Sequence, residues 1–179
     1  MWVGKYKKPT STPKEGPAMA TTARELFEHE LRDAYDAEHR LVDSLKEMSS
    51  KVTDPELTKA FDLHREQTQR QIERLETVFS SIDFKPERES CKGIKGLITE
   101  FKEFTKEENS STEVLNFFAA VSAKKVEHYE IVAYESLMQL ARQLGLRDAQ
   151  ASLRENLAEE LATADQLQGM SEKLLTELT

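Results

Sequence analysis

The chain has 179 residues, enough for one domain with a real core; 38% are hydrophobic and 32% charged, with only 6 glycines and 5 prolines. A net charge of −8 weighs against a sequence-independent grip on nucleic acid, and a single cysteine, Cys91, excludes an intramolecular disulfide framework. No apolar run reaches the roughly 18 residues of a membrane span, and no secretory leader is visible, so a soluble, cytoplasmic protein is expected.

Residues 1–20 differ from the rest. They hold three of the five prolines and set Lys5, Lys7, Lys8 and Lys14 against a lone Glu15. That composition buries too little apolar surface to order itself, so a flexible basic arm is expected ahead of a helical domain over residues 21–179. Trp2 and Tyr6 beside the lysines give the arm a weak claim on a partner or on nucleic acid.

The remaining sequence is poor in helix breakers and rich in Ala, Glu, Lys, Leu, Gln and Arg, which predicts long helices. Thr22 followed by Glu25 is a capping box and opens a first helix running to about Ser49. Its apolar stripe runs through Leu26, Leu31, Ala34, Tyr35, Leu41, Val42, Leu45 and Met48, and Glu38 interrupts it. Asp54 followed by Pro55 opens a second helix to about Ser81. The middle of its inner stripe is polar: His64, Thr68 and Gln71, with Gln67 close by. Glu66, Glu73 and Glu76 fall on its outer face.

Pro86 and dense charge mark residues 83–90 as a connection. A shorter helix from Lys92 carries Ile94, Leu97, Ile98, Phe101 and Phe104 and is read as a crossover. Ser111 or Thr112 caps the next long helix, which runs to Leu144, with Gly145 in the position that favours a left-handed backbone. On it Ala120, Ala123, Glu127, Ile131 and Tyr134 share one face, so Glu127 points where aliphatic residues point. Glu130 is about 60° off that face. A last helix from about Asp148 repeats the anomaly at Glu160, between Leu157 and Leu167. No segment alternates with period two, and the expected fold is an all-α four-helix bundle with a short additional crossover helix.

Three helices thus carry an inward carboxylate near their midpoints: Glu38, Glu127 and Glu160. A buried carboxylate needs a partner or a metal. Converging carboxylates completed by imidazole are what a dinuclear iron or manganese site uses. The usual Glu-x-x-His pair is missing, because no glutamate stands three residues before any of the four histidines. Phosphate-binding glycine loops, Cys-x-x-Cys pairs and nucleophile elbows are absent too.

The runs Leu31-Arg32-Asp33-Ala34-Tyr35-Asp36-Ala37-Glu38, His64-Arg65-Glu66-Gln67-Thr68, Gln71-Ile72-Glu73-Arg74-Leu75 and Val126-Glu127-His128-Tyr129-Glu130-Ile131 carry a resemblance. With Cys91, Gly96-Leu97-Ile98, Glu159-Glu160 and Ala162-Thr163, they make residues 23–178 similar to the ferritin-like stress proteins of the YciE/YciF type. The resemblance implies a ferritin-like bundle, a homodimer, a bacterial stress role and a metal site. It places Glu38, His64, Glu127, His128, Glu130 and Glu160 at positions the family keeps polar. It also implies glutamates where this chain has Gln67, Lys95 and Thr99, and aspartate where it has Ala164.

Two readings follow. In the first, Glu38, His64, Gln67, Glu127, His128, Glu130 and Glu160 surround iron or manganese, supported by Tyr35, Gln71 and Tyr134. In the second, the site is metal-free, the bundle is a non-catalytic structural or interaction protein, and Lys95 or Lys124 acts as counter-ion.

Overall fold

A computed structural model describes residues 20–107 and 109–178. The basic arm read from the sequence, with Trp2, Tyr6 and its lysines, lies outside the described residues. Five helices follow one another: α1 (Ala23–Lys51), α2 (Pro55–Ser81), α3 (Lys92–Glu107), α4 (Thr112–Gln143) and α5 (Arg147–Leu175). No strand occurs among the described residues.

The helix starts are those their caps dictate. The Thr22 side chain accepts from the Glu25 N–H while the Glu25 carboxylate accepts from the Thr22 N–H, satisfying two N–H groups that a helix start leaves orphaned. Asp54 accepts from the Leu57 N–H at 2.7 Å, with Pro55 in the first turn. Ser111 caps α4, and Gly145, at φ 71°, turns the chain sharply into α5.

Short connections make α1–α2 and α4–α5 into two hairpins. The four long helices close a ring of contacts: α1 on α2, α2 on α5, α5 on α4 and α4 on α1. Helix α3 lies outside that ring against α4 and α1 and buries Ile94 and Phe101, with Phe104 stacked 3.8 Å from Phe118.

The segment leading into α3 is fastened by one carboxylate. Buried Asp36 of α1 accepts from Arg40, from Arg88 at 2.9 Å and from the Cys91 N–H at 2.9 Å. Burial alone would raise its carboxyl, but these donors outweigh burial and hold it below the ordinary range. Gly93 then passes directly under the Tyr129 ring, where a Cβ would sit 2.4 Å from Cε2.

The core has two apolar halves. One gathers Leu41, Leu45, Leu57, Phe61, Ile94, Phe101, Ala119, Ala123 and Leu167; the other gathers Phe27, Leu31, Leu75, Phe79, Leu137 and Leu153. On each long helix the change from one half to the other falls at or beside a buried polar residue: Asp36–Glu38, His64, Glu127–Glu130 and Glu160. The layer between the halves is therefore polar and sealed from both ends by hydrocarbon. Leu26, placed on the inner stripe by the sequence, is instead 40% exposed.

Candidate metal centre

His64, Glu127, Glu130 and Glu160 each bring one ligand-type atom to within 4.8 Å of the others. All four are buried, and Glu127 and Glu160 expose no surface at all. Glu38 joins them from α1, held by the Tyr134 hydroxyl, which donates to its Oε1. Gln71 of α2 donates to Glu160 Oε1. The layer thus collects four carboxyl groups and one imidazole from all four long helices.

Its hydrogen bonding is incomplete. Glu38 Oε2, both oxygens of Glu127, both of Glu130, Glu160 Oε2 and both His64 nitrogens are buried without a hydrogen-bond partner. His64 Nδ1 lies 3.4 Å from Glu127 Oε1, and Nε2 lies 3.9 Å from Glu160 Oε2, but neither approach has hydrogen-bonding geometry. Native interiors leave only a few such atoms per 100 residues. Eight of them gather in this one layer.

The protonation equilibria say what kind of partner fits. Burial, followed by repulsion from neighbouring carboxylates, pushes Glu38, Glu127 and Glu130 well above the usual carboxylate range. Glu160 rises to about 7, again through burial, despite the neighbouring Glu127 carboxyl and then the Gln71 donor, both of which favour its anion. Burial lowers His64 to about 4, so at neutral pH it is an uncharged imidazole with a lone pair to offer. A neutral His64 neutralises none of these carboxylates. Four ionised glutamates carry the charge that two divalent cations cancel, and oxygen-rich donors with one imidazole suit iron or manganese. The donor set fits such ions.

Several residues singled out in the sequence lie elsewhere. His128 is exposed, one position beyond Glu127 and turned away from the ring. Gln67 is partly exposed on the flank of α2 and makes no hydrogen bond into the layer. Neither Lys95 nor Lys124 is paired with a carboxylate of the layer: Lys95 is exposed beside Arg40, Asp43 and Lys102 in the α1–α3 groove, and Lys124 donates to Gln168. The Tyr35 hydroxyl points outward and donates to Glu76 at 2.7 Å, so Tyr35 packs near the layer without supporting it. Glu130, read as lying off the Glu127 face, is turned inward with it, 3% exposed.

Two contributors were not singled out. Asn156, fully buried, donates from Nδ2 to the Tyr134 hydroxyl oxygen at 2.9 Å, and Arg74 donates to Asn156 Oδ1 at 3.0 Å. Asn156 had a signal: it stands four residues before Glu160 and three after Leu153, at an inner position. Arg74 had none.

A bundle whose long helices converge on a buried carboxylate–imidazole layer defines the class. The chain belongs to the family described as domain of unknown function DUF892, whose model matches residues 22–178. The protein YciF of Escherichia coli K12 is 40% identical over 143 residues, which cover 79% of this chain and 86% of YciF. The crystal structure of the E. coli stress protein YciF superposes with a TM-score of 0.84 at 36% identity, covering 89% of this chain and all (100%) of that one. YcfI of Rhodopseudomonas palustris superposes at 0.83, also at 36% identity, covering 86% and 98%. A Xanthomonas campestris protein at 20% identity and TM-score 0.68, covering 87% and 94%, shares the fold.

Proposed function

We propose that this protein is a stress-associated, ferritin-like metal protein whose core layer binds two divalent cations, iron or manganese. The observation that carries this reading is the set of eight buried, unpartnered ligand atoms on Glu38, His64, Glu127, Glu130 and Glu160. The stress role comes from its relation to E. coli YciF. A homodimer in the cytoplasm is part of the same proposal.

In it, Glu38, Glu127, Glu130 and Glu160 supply oxygen ligands and His64 supplies nitrogen. Gln71 and Tyr134 each occupy one carboxylate oxygen and so orient the other inward. The two apolar halves exclude bulk water, which strengthens every charge interaction within the layer. Bound iron or manganese would supply redox chemistry towards dioxygen or peroxide.

Anaerobic titration of the chelator-treated protein with Fe(II) or Mn(II) tests this. Two ions per chain are expected. At a free-ion concentration 100 times Kd, each ion adds about 2.7 kcal/mol, so two ions raise Tm by roughly 10–20 °C for a chain of this size. No binding and no shift would refute it. That outcome would favour the second reading, a non-catalytic structural bundle whose core carboxyls stay protonated. The missing Glu-x-x-His pairs, and the description of YcfI as a candidate structural protein, point in that direction.

A further inference from the structure

A directional chain of hydrogen bonds runs from the surface to the core layer, taking one residue from each long helix. It begins at Arg74 of α2, whose guanidinium is held by Glu159 in two bonds of 2.8 Å and by Glu155 at 3.2 Å. Arginine only donates, so the Asn156 oxygen, 3.0 Å away, must face it. That fixes the amide: Asn156 Nδ2 is left to donate to the Tyr134 hydroxyl oxygen and, at 3.4 Å, to the Gln71 carbonyl. With its oxygen already accepting, the Tyr134 hydroxyl turns its proton to Glu38 Oε1. Glu38 Oε2 is then the atom left free inside the layer. Each link has one polarity, and the polarity is set at the surface.

We propose that Arg74 and Asn156 are positioning residues for the metal centre, acting in series through Tyr134 to fix which Glu38 oxygen faces the ions. The inference rests on the metal-binding reading above. Neither residue makes a hydrogen bond to Glu38, Glu127, Glu130, Glu160 or His64; both are joined to Glu38 through the phenol. Their effect on affinity is therefore that of one unit, since breaking any link frees the same carboxylate. Partners that orient metal ligands typically change affinity 10–100-fold when removed.

Mn(II) affinity measured by electron paramagnetic resonance decides it. Asn156→Leu, Arg74→Met and Tyr134→Phe are each expected to weaken binding by about 10-fold or more. Combining Asn156→Leu with Tyr134→Phe should weaken it no further than the worse single change, and Arg74→Lys, which keeps a donor, should retain most affinity. Multiplying effects in the pair, or Asn156→Leu within about 3-fold of wild type, would overturn the proposal.

A wild-type protein that binds no Mn(II) or Fe(II) sinks the metal reading, and the wiring is then read from the metal-free protein by proton NMR. The slowly exchanging low-field resonance that vanishes in Tyr134→Phe is that of the phenol. It should move in Arg74→Met, although Arg74 makes no hydrogen bond to the phenol. A resonance unmoved by that change overturns the serial arrangement.

Discussion

Replacing Glu160 by glutamine should stabilise the metal-free protein and destabilise the metal-loaded one. In the unfolded chain Glu160 ionises at an ordinary carboxylate value near 4.5, whereas burial in the fold raises it to about 7. For an acid shifted upward, the cost to folding is absent below the unfolded value. It grows as pH rises between the two values and is fully present above the folded one. The rise from 4.5 to about 7 corresponds to roughly 3 kcal/mol. The amide of the Glu160→Gln variant keeps the shape and an acceptor for Gln71 but cannot ionise. Urea denaturation in the presence of chelator should therefore show little difference from wild type at about pH 4. By about pH 8 the variant should gain up to roughly 3 kcal/mol, shared with its coupled neighbours. With saturating Mn(II) the order should reverse, because a ligand has been lost. A variant equally unstable at both pH values in chelator would refute the account of the layer as buried, uncompensated acid.

Asp36→Asn should cost about 2 kcal/mol in urea, since it removes a buried charge that anchors two arginines and a backbone N–H. The Asp36 carboxyl is held below its ordinary value, so its contribution is present above that value and lost as pH falls through the lower folded one. The variant should therefore match wild type only in strong acid. Gly93→Ala should lower stability by about 1–3 kcal/mol and expose the Cys91 thiol to a disulfide reagent, because the new methyl displaces Tyr129, whose hydroxyl lies 3.3 Å from Cys91 Sγ. An unreactive Cys91 in that variant would refute it. Lys95→Ala should change stability by less than about 0.5 kcal/mol at any pH, as expected of an exposed residue with no ion-pair partner among the described residues; a larger loss would restore its role as counter-ion.

The helices and the polar inner layer were legible for local reasons. Thr22 with Glu25, Asp54 with Pro55, and Ser111 announce helix starts by their own hydrogen bonds, and a period of 3.6 puts Glu38, Glu127 and Glu160 on inward faces. Glu130, about 60° off the Glu127 face, still reaches the layer because the inward arc of a bundle helix exceeds 100°, wide enough for residues three apart. His128 lies about 100° from Glu127, outside that arc. Lys95 was misplaced because the orientation of α3 is set by how Ile94 and Phe101 dock on α1 and α4, which no local pattern encodes. Asp36 gave no signal for a related reason: its burial comes from a segment more than 50 residues away, through Arg88 and Cys91. Arg74 reads as an ordinary surface arginine until Asn156 is seen beneath it.

The core layer is divided unequally between the two hairpins. The α1–α2 hairpin brings Glu38 and His64; the α4–α5 hairpin brings Glu127, Glu130 and Glu160. Neither half holds all five side chains, so a cation bound in the layer would tether the two across the seam. If the chain were severed in the connection before α3, the two fragments would each carry part of the site. With the proposed metal bound, their reassociation in dilute solution would depend on the ion supplied, turning the protein into a pair of pieces that complement one another on demand.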